Sequence, residues 1–183
     1  MTMKLKILLL IPLTFLLVAC PSEENDIYLT INSFTVQDSC FNNENEFKIY
    51  LDFRSSEIAQ STSFSSNIGV AYASYEPFIY LKNKVEKCTI TNTKEFNNLA
   101  VNTEISNYFE LSIDNSEWIN ELSLVEGINE SIKLQYNKNE RPYLKLKHNS
   151  SLDYSGAFII ELELSDGTLL SDSTQNVIIN ITE

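Results

Sequence analysis

The stretch Phe158-Ile159-Ile160-Glu161-Leu162-Glu163-Leu164-Ser165-Asp166-Gly167-Thr168-Leu169-Leu170 decides the fold class. Phe158, Ile160, Leu162 and Leu164 alternate with Ile159, Glu161 and Glu163. That period of two sends one set of side chains to each face of a strand. Asp166-Gly167 between two apolar runs is a hairpin signature, because the turn needs residues that tolerate left-handed backbone. Two antiparallel strands follow.

The same alternation recurs towards the N-terminus. Phe47, Ile49, Leu51 and Phe53 alternate with Glu46, Lys48, Tyr50 and Asp52. Ile27, Leu29 and Ile31 alternate with Tyr28, Thr30 and Asn32, but Phe34 and Val36 continue on the opposite parity. A bulge or short break is expected between them. Further short strands are predicted at 68–73, 78–81, 85–91, 109–113, 131–136, 143–148 and 176–182. One weak helix is predicted from Asn115 or Ser116 through Trp118, Ile119 and Leu122 to near Gly127. Many short strands and one helix define an all-β fold, with an immunoglobulin-like β-sandwich expected and a lipocalin-like barrel around an apolar ligand as the alternative. Gly occurs four times and Asn twenty. Asn tolerates the left-handed region, so it is expected at many turns where Gly would otherwise stand.

Residues 1–19 read as a lipoprotein signal peptide. Lys4 and Lys6 precede an apolar run that ends in Leu17-Val18-Ala19-Cys20. The run Leu5–Ala19 is fifteen residues long and is interrupted by Pro12, whereas a spanning helix needs about 20. A cleaved signal fits better than a transmembrane anchor, and a cysteine directly after small residues marks Cys20 as the lipidated first residue of the mature chain. Residues 20–26 then form an acidic tether, and residues 27–183 one domain. The signal holds two lysines and no acid, so its removal leaves 11 basic against 25 acidic residues, a formal charge of −14. That balance argues against a nucleic-acid partner, which needs a basic face. Its simplest meaning is solubility and self-repulsion at a surface.

With Cys20 lipidated, Cys40 and Cys88 remain. A pair in an oxidising compartment reads as a disulfide, which closes a loop of about 49 residues and contributes about 4 kcal/mol in the chain-entropy model. Two buried free thiols are the alternative. Metal-ligand spacing is absent from the sequence: neither cysteine has a second one nearby, and the single histidine, His148, is remote from both.

Four segments carry a resemblance. Cys20-Pro21-Ser22-Glu23-Glu24 looks like the start of Bacteroidetes lipoproteins, in which acidic residues after the lipidated cysteine act as a surface-export signal. Val70-Ala71-Tyr72-Ala73, the segment 90–97 and the ending Phe158 to Gly167 are similar to a family of Bacteroidetes lipoproteins to which no activity is assigned. The resemblance implies attachment to the outer membrane, facing the cell surface, and implies no catalytic residue. Pro21 departs from the acidic export pattern. Asp172-Ser173-Thr174 resembles the short O-glycosylation sequence of the same bacteria, with Ser173 as acceptor.

Few residues are arranged for chemistry. His148 would have to serve any Ser-His or Cys-His device, and G-x-S-x-G is absent from the sequence. Glu161 and Glu163 share one strand face and present paired carboxylates, as in glycoside cleavage, but their alternation with Ile160, Leu162 and Leu164 reads more simply as the solvent side of a half-buried strand. Asn42 to Glu46 offers oxygen ligands without the spacing of a calcium loop. Tyr72, Tyr75, Phe78 and Tyr80 cluster around Pro77, either as core or as an exposed patch that stacks on sugar rings or grips a protein. The expectation is therefore a non-catalytic, surface-anchored interaction or accessory lipoprotein with neither cofactor nor metal. Its partners would be the membrane, through the lipid, and a protein or glycan. A carbohydrate-binding module and a small hydrolase are the alternatives.

Overall fold

The computed structural model of the protein describes residues 26–39, 47–58, 78–113, 119, 121–147 and 152–181. The chain divides into two units, Met1–Asp26 with Phe64–Phe78, and Ile27–Ser63 with Ile79–Glu183. Only Asp26 and Phe78 of the first are described, so the architecture below is that of the second.

The described residues are mostly β. Strand β8 (Phe158–Leu164) buries Phe158, Ile160, Leu162 and Leu164 and pairs antiparallel with β9 (Leu169–Ser173), as the alternation requires. Gly167 closes the loop at φ +82°, its N–H donating to the Leu164 carbonyl at 2.8 Å. Hydrogen bonds from Thr168 hold the Asp166 carboxyl below the usual carboxylate range. On the other side of β8 lies β4 (Val85–Asn92), giving the order β4-β8-β9. Strand β7 (Leu152–Gly156) leads through Ala157 into β8, and β10 (Val177–Ile181) pairs back on β7. Residues 152–181 thus form one long hairpin. It bends where the Phe158 N–H donates to Thr174 Oγ1 at 2.8 Å and the register slips by one residue. The sequence reading missed β7, whose Asp153, Ser155 and Gly156 hide its alternation.

The second sheet has the order β3-β1-β2-β6-β5, with β1 Ile27–Ser39, β2 Lys48–Glu57, β3 Ile79–Leu81, β5 Phe109–Ile113 and β6 Pro142–Leu146. Its neighbours are antiparallel except β1 and β3, which run parallel. The parity switch in β1 is a bulge between Ile31 and Ser33. Buried Asn83 fills it: its Oδ1 accepts the Ile31 N–H at 2.7 Å and its Nδ2 donates to the Ile31 carbonyl at 2.9 Å. An amide side chain thus stands in for a strand neighbour where the ladder is broken.

The helix differs from the expectation. Helix α1 is Leu124–Lys138 with Ser123 as its N-cap, so the strand predicted at 131–136 is helical, while the cap predicted at Asn115 or Ser116 lies outside the described residues. Ser123 and Glu126 form a reciprocal capping box, which satisfies two otherwise open N–H groups. Its buried Gly127, Ile128, Ser131 and Ile132 follow helical spacing. A Cβ on Gly127 would stand 3.1 Å from Leu111 Cδ2, so the missing side chain lets α1 approach β5.

Ile31, Ile49, Leu51, Leu111 and Leu144 of the five-stranded sheet join one core with Ile90, Phe158, Ile160 and Leu162 of the three-stranded sheet. The Phe158 ring lies 5.2 Å from Phe109 and 4.6 Å from Tyr154, and each such side chain contributes about 1.5–3 kcal/mol by leaving water. The positive-φ residues other than glycine among those described are Asn97, Asn98, Asn102 and Asn139, as the asparagine count predicts. No helix among the described residues is long and apolar enough to cross a membrane.

Candidate binding face

Alternation gives the five-stranded sheet an outer face. Leu29, Ile49, Leu51 and Leu144 point to the core, so Tyr28 and Thr30 of β1, Lys48, Tyr50, Asp52 and Arg54 of β2, and Tyr143 and Lys145 of β6 point away. At one end Tyr28 is the register partner of Tyr80 on β3, and the rings stack with centroids 5.4 Å apart at 23°. The Lys82 ammonium lies 4.3 Å from the centre of the Tyr28 ring, within cation–π range. Tyr80 is 45% exposed, and Ile58, whose N–H donates to the Tyr28 carbonyl, is also exposed.

The other end repeats the pairing of tyrosine and cation. Tyr50 and Tyr143 are register partners with ring centroids 5.5 Å apart. Arg141 lies 5.2 Å from the Tyr50 ring centre while its guanidinium grips both Asp52 oxygens and donates to Gln37 Oε1 at 2.9 Å. The Lys48 ammonium sits 4.3 Å over Tyr143, and Lys145 pairs with Glu110 at 3.1 Å. Beyond Tyr50 strand β2 leaves β6, and the end of α1 takes over: the Phe53 N–H donates to Gln135 Oε1 at 3.1 Å. A concavity of about 420 Å³ opens there, lined by Arg54, Gln135, Tyr136 and Asn139 among others. The Tyr136 hydroxyl donates to Glu57, which raises its pKa above the ordinary phenol value.

Of the predicted aromatic patch, Tyr80 is on this face and exposed, Phe78 is exposed, and Tyr72 and Tyr75 lie outside the described residues. The sequence reading missed Tyr28, Tyr50 and Tyr143, which pass in an alternating strand for ordinary solvent-side residues. Cys20, Cys40, His148 and the Asn42 to Glu46 loop also lie outside the described residues. Cys88 is a buried free thiol on β4, pushed up to about 12 by burial and by the charge of Glu104. Glu161 and Glu163 are exposed on the outer face of the other sheet, opposite Thr89 and Lys87. Ser173 is exposed, whereas Thr174 is buried. Among the described residues no three His, Cys, Asp or Glu side chains gather as metal ligands. In comparisons with known proteins, the chain matches no protein-family model, no curated protein and no solved structure.

Proposed function

We propose that this chain is a non-catalytic lipoprotein, anchored through Cys20 at the outer membrane and facing the cell surface, that works by binding. Membership of the Bacteroidetes lipoprotein family is part of the proposal and rests on the segments quoted above. An immunoglobulin-like sandwich is the proposed architecture, supported by a five-stranded and a three-stranded sheet that share one core, to which the two-stranded β7–β10 sheet adds Tyr154, Val177 and Ile179. The parallel β1–β3 edge and α1 are additions to that plan. The observation that carries the binding role is the exposed Tyr80, stacked on Tyr28 beside Lys82 on an outer sheet face. Such a group offers a rigid apolar area with a polar tip at low entropic cost. The same observation supports the second reading, a carbohydrate-binding module.

Two measurements test this. Fractionation of cells carrying Cys20→Ala should move the protein from membranes to the soluble fraction, and retention on membranes refutes the anchor. Retention of the purified domain on a panel of polysaccharides and on intact cells should be lost in Tyr80→Ala with the circular dichroism unchanged. Equal retention of the variant refutes the face. Turnover of a glycan or ester that disappears in Glu161→Gln or His148→Ala refutes the non-catalytic role.

A further inference from the structure

Where β2 parts from β6, the sheet edge and the last turn of α1 flank the concavity of about 420 Å³ described above. Its size is that of a small-molecule site, for which about 300–1,000 Å³ is usual. It uses none of the residues of the Tyr28–Tyr80 group.

Its walls are held in place by the protein itself. Tyr136 is 41% exposed, yet its hydroxyl donates to Glu57 at 2.9 Å, so the ring stands as a fixed apolar wall. Gln135 is tied through Oε1 to the Phe53 N–H at 3.1 Å, which leaves its Nε2 to donate into the concavity. Asn139 ends the helix in left-handed backbone at φ 56°, and its N–H donates to the Gln135 carbonyl at 3.0 Å. The Asn139 side-chain amide and the Ser55 hydroxyl complete the polar lining.

Charge selects the ligand. Arg54 is the one charged side chain among the lining residues. The described ion pairs join Lys133 to Glu130, Arg141 to Asp52 and Lys145 to Glu110, so among the described residues no carboxylate pairs with Arg54. A guanidinium presents a planar fork of donors that fits a carboxylate or a phosphate with two hydrogen bonds. One positive charge balances a carboxylate, but it leaves an excess on a phosphate group, which carries about −1.5 to −2 at pH 7. The helix end opposes that excess, because the last carbonyls of α1 lack helical partners and form the negative end of its dipole. The same carbonyls accept hydrogen bonds from hydroxyl groups.

We propose that this concavity binds a ring-shaped hydroxy acid. Its carboxylate meets Arg54 and the Gln135 amide, its ring face lies on Tyr136, and its hydroxyls turn to Ser55, Asn139 and the open carbonyls. Sugar acids and carbocyclic hydroxy acids share this chemistry. The site is separate from the Tyr80 group and goes beyond the binding role proposed for it.

The test is titration of the purified mature chain with galacturonate, glucuronate and quinate, followed by calorimetry and by NMR of the isotope-labelled protein. Galactose and a galactose phosphate serve as the neutral and the more highly charged ring. At least one acid should bind more tightly than both, and should shift the side-chain amide signals of Gln135 and Asn139. Which acid binds separates a sugar acid from a carbocyclic one. Arg54→Gln and Tyr136→Ala should each weaken binding at least tenfold, while Lys87→Gln, on the other sheet, should bind as the parent does. Circular dichroism of each variant establishes that the fold is kept. Binding of galactose or its phosphate as tight as that of the acids, an unchanged Arg54→Gln, or no binding of any acid overturns the proposal. If no acid binds while Tyr80→Ala loses retention on cells, this site fails and the binding role stands.

Discussion

Replacing Asn83 by Ala tests the architecture at its least regular point. The side chain is 5% exposed and satisfies both the N–H and the C=O of Ile31 at the β1 bulge, at 2.7 and 2.9 Å. Truncation strands one buried donor and one buried acceptor, each costing about 1–3 kcal/mol, so a loss of about 3 kcal/mol is expected. With a urea slope near 2 kcal/mol per molar, the unfolding midpoint should fall by about 1.5 M when followed by circular dichroism. Asn83→Asp sharpens the test. The introduced carboxyl still accepts from Ile31 N–H, but it faces the Ile31 carbonyl and Asp166 Oδ2, which now accept from the amide. Its folded pKa is therefore raised above the unfolded value of about 3.9. The variant keeps near-parental stability below that pH and loses it as pH rises through the folded pKa. A midpoint shift below ~0.5 M for Asn83→Ala (about 1 kcal/mol at that slope), or a pH-independent deficit for Asn83→Asp, refutes the bridging role. Lys82 adjoins Asn83, so Asn83→Ala should also loosen the seat of Lys82 on Tyr28.

The other expectations concern Cys88 and the helix cap. Burial raises the free Cys88 thiol to about 12, so in protein whose Cys88 is unbridged, stability present below the unfolded pKa of about 8.5 should decline as pH rises from there to about 12. Cys88→Ala should decline less, and equal decline removes Cys88 as a contributor. Mass spectrometry of the unreduced mature protein decides the proposed Cys40–Cys88 bridge: a loss of two hydrogens and a linked peptide is expected, and two alkylatable thiols refute it and leave the titration argument standing. Ser123→Ala should cost about 1 kcal/mol by removing half of the capping box, read as a lower urea midpoint. An unchanged midpoint would mean that packing on β5 alone holds the start of α1.

Strand content was legible because Phe158 to Leu164 and Phe47 to Phe53 bury every second residue, a signal that tertiary context does not override. The β1 bulge was legible as a change of parity at Phe34, and the asparagine turns as a shortage of glycine. Helix α1 was misread because Ile132, Leu134 and Tyr136 also fit a period of two. The discriminating signal, Ser123-Leu124-Val125-Glu126, is a capping box that precedes the apolar run. The binding face was half legible. Tyr80 stood beside Pro77, but Tyr28 is 52 residues away in the chain and joins it only through the parallel pairing of β1 with β3. No local pattern announces a pairing across such a separation.

The place of β4 in its sheet governs the timing of folding. Its strand neighbour among the described residues is β8, which begins roughly 65 residues after β4 ends. Until β8 has paired, Val85, Cys88 and Ile90 have no described strand beside them, although β1 and β2 precede them in the chain. A bond between Cys88 and Cys40 would have to form in the oxidising compartment within that window, before Leu162 comes to lie opposite Cys88. The hairpin that closes the core is therefore also the step that ends the chemistry of its cysteine.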